Sequence, residues 1–301
     1  MAPAADPIAE RSLTTKNATS NELSQKRLQT PLEALSLGPN GLSLPGIPNF
    51  PSFAEHRTWI KQHMAGVFRH WSREGYIEGI SGHISVQDPE FRDAFWFNPY
   101  GVHFGLLKAS DMVLVNLDGK IIGGNTEWPV INSAGFLIHT EIHKARPDAA
   151  AVVHCHGIYG KAWSVFGRPL EMLTQDTCKF YGDAQAVYDN HGGVVFGPEE
   201  GQRIASSLGP NGKGAILRNH GLLTVGRTVD EAAFLLTSME RSCHVQLLAD
   251  AAAADGVPKK IISDREAKFN FDAESDHDLC YAEFQAYYNY EVKLANGDFL
   301  N

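Results

Sequence analysis

The chain has 301 residues, 43% of them hydrophobic and 20% charged, with a formal net charge of -9. This is the composition of a globular protein with enough chain to bury a core, and its acidic balance argues against nucleic acid or an anionic membrane surface as a partner. No apolar run reaches the roughly eighteen residues of a membrane span, and the four cysteines, Cys155, Cys178, Cys243 and Cys280, lack any paired spacing, so a cytoplasmic, reduced protein is the expectation.

Residues 1–50 are rich in Ser, Thr, Asn, Pro and Ala with few aromatics, which predicts a flexible arm. Asp6, Glu10 and Glu22 interrupt the basic residues Arg11, Lys16, Lys26 and Arg27 that a mitochondrial presequence would need. A main domain is expected over 51–260 and a helical extension over 261–301. Ser52 and Glu55 read as a capping box. The stripe Ile60, Met64, Val67 and Trp71 then predicts a helix that Gly75 ends. Short strands follow at 84–86, 95–97 and 112–117, the last turning through Asp118-Gly119 into Lys120-Ile121-Ile122. Asn132 or Ser133 caps a helix running to about Ala145 before Pro147, and the apolar run 149–153 leads as a strand into His154-Cys155-His156. A helix is predicted from Pro198 to Leu208. The run from Gly214 to Gly226, broken by Arg218-Asn219-His220-Gly221, then reads as strand, turn and strand. Thr228 and Glu231 open a long helix to about Ala253, and 278–294 reads as a last one. The mixture implies an α/β fold, layered in the α+β manner around a mainly antiparallel sheet. Gly157 to Gly160 and Gly192-Gly193 are too sparse for a phosphate loop.

His154 and His156 stand two apart on an extended segment, which sends both imidazoles to one face roughly 6.5 to 7 Å apart along the chain. Cys155 then faces the other way, as a small buried apolar residue. His220 lies in a polar break that a buried strand does not need for stability. With thirteen histidines in the chain, a His-x-His pair can also be the polar face of a half-buried strand. Its place at a strand end, where loops and ligands meet, favours the ligand reading. Three neutral imidazoles leave a cation its full charge and an open position, which suits catalysis better than structure. Zinc is the expected divalent metal, with iron and manganese as alternatives, since imidazole serves all three.

Three segments, Glu78-Gly79-Ile80-Ser81-Gly82-His83-Ile84-Ser85-Val86, then Ala145-Arg146-Pro147-Asp148 through His156, then Asn219-His220-Gly221-Leu222, resemble the class II aldolase and adducin-head superfamily over about residues 53–255. The resemblance implies a class II aldolase-like three-layer fold. In the bacterial fuculose- and ribulose-phosphate aldolases that the chain resembles, histidines at the places of His154, His156 and His220 hold zinc, which polarises a carbonyl and stabilises the enediolate left by carbon–carbon cleavage. Those enzymes are tetramers with sites at subunit interfaces. Two departures matter. Where those aldolases open the helix with Ser-Ser-Glu, the glutamate moving the proton, this chain has Ser133-Ala134-Gly135. Where they have Gly-Asn, the asparagine helping to hold phosphate, it has Gly82-His83. Both argue against a phosphorylated sugar, and adducin-like members share the Ala134-Gly135-Phe136 pattern.

The same match places Ser81, Gly82 and Ser133 at substrate. A replacement acid/base has to reach within about 3 Å of the reacting group. His83 is the first candidate because its match sets it beside the pocket; Glu141, His139, His143 and Tyr181 are the others. His139 and Glu141 lie on different faces of a helix, so at most one points to the metal, and Tyr181 reads first as a packing residue with a satisfied hydroxyl. The expected function is a metal-dependent lyase acting by aldol-type cleavage or decarboxylation on a small unphosphorylated oxo- or hydroxy-carbonyl compound. A non-haem iron oxygenase, like aldolase-like members of aminocoumarin antibiotic pathways that also lack the glutamate, is the alternative; a non-catalytic adducin-like assembly module is the second. The expected partners are a small-molecule substrate and further copies of the chain in a homo-oligomer, a tetramer by resemblance.

Overall fold

The computed structural model describes residues 29–36 and 38–301, so most of the expected N-terminal arm lies outside the described residues. Thr30 and Glu33 cap the short helix α1 (Pro31–Leu35) reciprocally. In α2 (Phe53–Glu74) the Ser52 hydroxyl accepts from the Glu55 N–H and Gly75, at φ 77°, ends the helix in the left-handed region. The Glu55 carboxylate meets the Ser52 hydroxyl rather than its backbone N–H, so the cap is one-sided. Ile60, Met64, Val67 and Trp71 are buried, as the stripe required.

The strands β1 (Gly82–Gln87), β2 (Ala94–Phe97), β3 (Val113–Asn116) and β4 (Ile121–Gly124) precede α3 (Ser133–Ala145), capped by Asn132, and β5 (Ala151–Cys155). Then come α4 (Ile158–Ser164), β6 (Gln185–Tyr188), α5 (Pro198–Leu208), β7 (Gly214–Leu217), β8 (Gly221–Gly226), α6 (Val229–Ala253), α7 (Asp264–Glu274) and α8 (His277–Leu294). The eight strands form one sheet in the order β4-β3-β2-β1-β5-β8-β7-β6. Every neighbouring pair is antiparallel except β6 with β7. Sequence reading missed α1, α4 and β6, and gave α7 only as part of the helical extension over 261–301.

Alternation along the strands sorts side chains into two cores. Ile84, Val86, Ala151, Val153 and Cys155 join α2, α6 and α8 on one face, while Val152, Leu223 and Val225 join Ile138 and Ile142 of α3 and Ile204 and Leu208 of α5 on the other. Helices therefore cover both faces of a central sheet, in three layers. The C-terminal α8 is part of this body: Cys280, Phe284 and Tyr288 lie in the same core as α2. All four cysteines are unpaired and buried. Among the described residues no helix is long and apolar enough to cross a membrane.

Asp88, just past β1, gathers five donors: Arg57 through Nε at 2.7 Å and Nη2 at 2.8 Å, Trp96 Nε1 at 2.9 Å, and the N–H groups of Glu90 and Phe91 at 3.0 Å. Burial by itself would raise this carboxyl, but the guanidinium and the N–H donors hold it below the usual range. A depressed carboxyl adds stability above its unfolded pKa of about 3.9, and that stability is lost as pH falls through the lower folded value. Asp88→Asn is accordingly expected to cost about 1–3 kcal/mol near neutral pH and to flatten the loss on acidification. Thermal melts of both proteins near neutral pH and below about pH 4 check this; a variant that loses as much on acidification as the parent would exclude Asp88 as a source of the acid sensitivity.

Candidate metal centre

The two-residue pleat of β5 sends Cys155 into the α6-side core and His154 to the α3 side. His156 follows immediately beyond the strand end. β7 and β8 are joined by a tight turn in which Leu217 O accepts from the His220 N–H at 3.0 Å and Asn219 takes φ 58°, a left-handed conformation that Asn tolerates better than most residues. The turn carries His220 over the end of β5. Gly221 fits there because a Cβ would lie 3.1 Å from Cys155 O and 3.6 Å from His154 Cε1.

The three imidazoles form a near-equilateral triangle, with ring centroids 4.9 Å apart for His154 and His156, 4.7 Å for His154 and His220, and 5.0 Å for His156 and His220. One ring nitrogen from each lies within 4.8 Å of the others. His154 Nδ1–H donates to Leu222 O at 2.7 Å, which fixes the tautomer and leaves Nε2 as a lone pair. That Nε2 is buried without a hydrogen-bond partner among the described residues. An unmet buried acceptor costs about 1–3 kcal/mol, and a divalent cation would satisfy it. Burial pushes all three rings toward the neutral form needed for ligation: His154 well below its ordinary range, His220 down to about 4, and His156 down with help from Lys161. The donor set fits a cation that accepts nitrogen ligands, and the half-buried His156 and His220 leave one side open.

A fourth ring flanks the triangle. The β1–β5 register sets His83 directly opposite His154, with centroids 4.9 Å apart. Its neighbour on the helix side is Gly135 of α3, where a Cβ would fall 2.4 Å from His83 Cδ2 and 2.6 Å from Cγ and Nε2. The two departures from the aldolase pattern are thus one event in space: the imidazole of His83 occupies the room over position 135, and no side chain fits at 135 while it does.

The other expected site residues fall in different places. Gly82, at φ 113° and opposite Cys155, packs its α-carbon toward Phe104 and His154 O; Ser81 precedes it with its N–H on Glu78 O. Ser133 is exposed in the first turn of α3. Glu141 and Tyr181 are not brought to the imidazoles within one chain. Glu141 projects from a different face of α3 than His139, sits against Gly201 of α5, and pairs with Lys144 at 2.6 Å. Tyr181 packs on Met172, Cys178 and Ala267, because the turn before β6 carries it away under α7. Sequence reading missed Lys161, which forms an ion pair with Glu78 and acts electrostatically on His156. Its only signal was a cation five residues beyond the histidine pair.

The family model described as Class II Aldolase and Adducin N-terminal domain matches residues 62–247. A 4-hydroxy-3-prenylphenylpyruvate oxygenase/4-hydroxy-3-prenylbenzoate synthase of Streptomyces roseochromogenus subsp. oscitans is 43% identical over 71% of this chain and 76% of its own. Decarboxylase NovR of Streptomyces niveus is 44% identical over 71% and 77%. Among solved structures, an L-fuculose 1-phosphate aldolase from Glaciozyma antarctica PI12 superposes with a TM-score of 0.77 at 38% identity, covering 84% of this chain and 96% of that one.

Proposed function

Because the chain belongs to the Class II Aldolase and Adducin N-terminal domain family, we propose that it is a metal-dependent lyase that breaks a carbon–carbon bond, by decarboxylation or aldol-type cleavage, in a small unphosphorylated oxo- or hydroxy-acid. The observation that carries this reading is the buried, unpartnered Nε2 of His154 at the corner of a three-imidazole triangle. A bound dication, zinc in the first instance, would supply Lewis-acid polarisation of a substrate carbonyl. His154, His156 and His220 would hold it. Lys161, beside His156, offers the cation for a substrate carboxylate. His83 stands where the proton-transfer glutamate has become Gly135, and its Nε2 would take the proton released by a substrate hydroxyl. Ser81, Gly82 and Ser133 are assigned to substrate contact on the strength of the motif resemblance. A homotetramer in a reducing, cytoplasmic setting belongs to the same reading, supported by the exposed apolar Ile158, Phe166 and Phe196 and by four unpaired cysteines.

A second reading, an iron-dependent oxygenase at the same three histidines, is favoured by the 43% identity to an oxygenase acting on a prenylated phenylpyruvate. Dioxygen separates the two. Zinc-loaded and iron-loaded protein are to be offered small 2-oxo and 2-hydroxy acids, a phenylpyruvate among them, with and without air. Turnover that persists anaerobically is the expected result; turnover confined to the iron-loaded, aerated sample would replace the lyase with the oxygenase.

A further inference from the structure

Four buried polar side chains behind the triangle form a single hydrogen-bonded file. His83 Nδ1 lies 2.8 Å from His139 Nε2, His139 Nδ1 lies 2.8 Å from Ser85 Oγ, Ser85 Oγ lies 2.8 Å from His143 Nε2, and His143 Nδ1 lies 3.1 Å from the backbone oxygen of Ala149. The file ends on a carbonyl, which can only accept. His143 therefore carries its proton on Nδ1, and in a neutral ring Nε2 is then an acceptor. Ser85 has a single hydroxyl proton and gives it to His143 Nε2, so its oxygen accepts from His139 Nδ1–H. His139 Nε2 is left as an acceptor, and His83 must donate to it through Nδ1. One nitrogen remains at the near end of the file, and it has no proton: His83 Nε2.

The premise of neutral rings is physical. His83, His139 and His143 are 5%, 0% and 5% exposed, and no carboxylate joins the file. A charge there would be desolvated without a counter-ion. Burial accordingly pushes His143, at the far end of the file, down to about 4.

We propose that His139, Ser85 and His143 are positioning residues whose hydrogen bonds, anchored on the Ala149 carbonyl, lock His83 as the Nδ1–H tautomer and present its bare Nε2 beside the three-histidine triangle. The consequence for chemistry is one of polarity. An imidazole free to choose its tautomer could offer either a proton or a lone pair. A locked one offers only the lone pair, the same sense as an ionised carboxylate, so the replacement of glutamate by histidine keeps a proton acceptor at that place. This meaning rests on the proposed lyase or oxygenase site, whereas the tautomer itself does not.

Neutron diffraction from crystals of the deuterated, metal-free full chain reads the tautomers directly. Deuterium is expected on Nδ1 of His83, His139 and His143, and on Nε2 of none of them. Deuterium on His83 Nε2, or two deuterons on any of the three rings, would overturn the proposal. In Ser85→Ala the file is cut but the Ala149 carbonyl remains, so His143 is expected to keep Nδ1–D while His83 loses its single form and shows deuterium divided between its nitrogens. Full Nδ1 occupancy on His83 in that variant would mean that something other than the file sets the tautomer, and would equally overturn it. Zinc content, measured separately on the same preparations, tests the triangle: the expected deuterons in a protein that binds no zinc would sink the metal-dependent reading and leave the file standing.

Discussion

Protein carrying His154→Ala, His156→Ala or His220→Ala is expected to lose its divalent metal, whereas His83→Ala is expected to keep it. Removing a single outer partner of a metal ligand lowers affinity by roughly 10–100-fold. Deleting a ligand from a set of three should exceed that, because among the described residues no other His, Cys, Asp or Glu groups with these three. The cation also couples to stability. A ligand at about 1,000 times its Kd stabilises a protein by about 4 kcal/mol, so chelation should lower the melting temperature of the parent and leave those of the three alanine variants unmoved. His154→Ala carries a second cost, since Leu222 O loses the Nδ1–H donor it has at 2.7 Å, a hydrogen bond worth about 0.5–1.5 kcal/mol net. Elemental analysis and calorimetry on the four variants decide the matter. Full metal occupancy in all three ligand variants would remove the site altogether.

Restoring the aldolase glutamate at position 135 is expected to fail unless His83 is changed with it. A Cβ at 135 would stand 2.4 to 2.6 Å from three ring atoms of His83, distances at which something must move. The cost should be seen already in Gly135→Ala: the helix gains about 1 kcal/mol from losing a glycine, yet overpacking costs typically 1–3 kcal/mol, so a net loss is expected at a site where propensity alone predicts a gain. Gly135→Glu adds the desolvation of a carboxylate and should be worse. His83→Asn clears the ring, and the double variant His83→Asn/Gly135→Glu is expected to recover at least about 1 kcal/mol relative to the sum of the single changes, within the range of measured couplings between touching residues. Denaturant unfolding of the two singles and the double gives the coupling. Effects that add to within about 0.5 kcal/mol, the behaviour of independent sites, would show that the two positions do not compete for space.

Much of the scaffold could be read from local signals. The Ser52 cap, the stripe from Ile60 to Trp71 and Gly75 fixed α2 at both ends, and Asn132 marked the start of α3. The elements that escaped were short or paired at a distance: α4 spans seven residues, too few for a 3.6-residue period to repeat clearly, and β6 spans four and is defined by a parallel partner about thirty residues away. The helix α7 opens on a full capping box at Ser263 and Glu266, in a mostly polar stretch where the expected helical extension has no apolar stripe to set its bounds. At the site, the strand period joined His154 to His156, and the polar break in an apolar run singled out His220. Glu141 and Tyr181 drew notice by residue type alone, and type says nothing about which way a side chain points.

What the sequence determined by itself was everything with a short period: the helices with caps, the alternation that turns Cys155 away from His154, the family motifs, and the absence of the usual glutamate from the start of α3. What only the tertiary structure decided was which of these meet. The β1–β5 register put His83 across from His154, the β7–β8 turn swung His220 onto the same spot, and the packing of α3 on the sheet laid His83 over Gly135 and strung Ser85, His139 and His143 behind it. The reason is that residue periods are properties of one segment, whereas register and helix packing are set by cores that segments far apart in the chain must bury together.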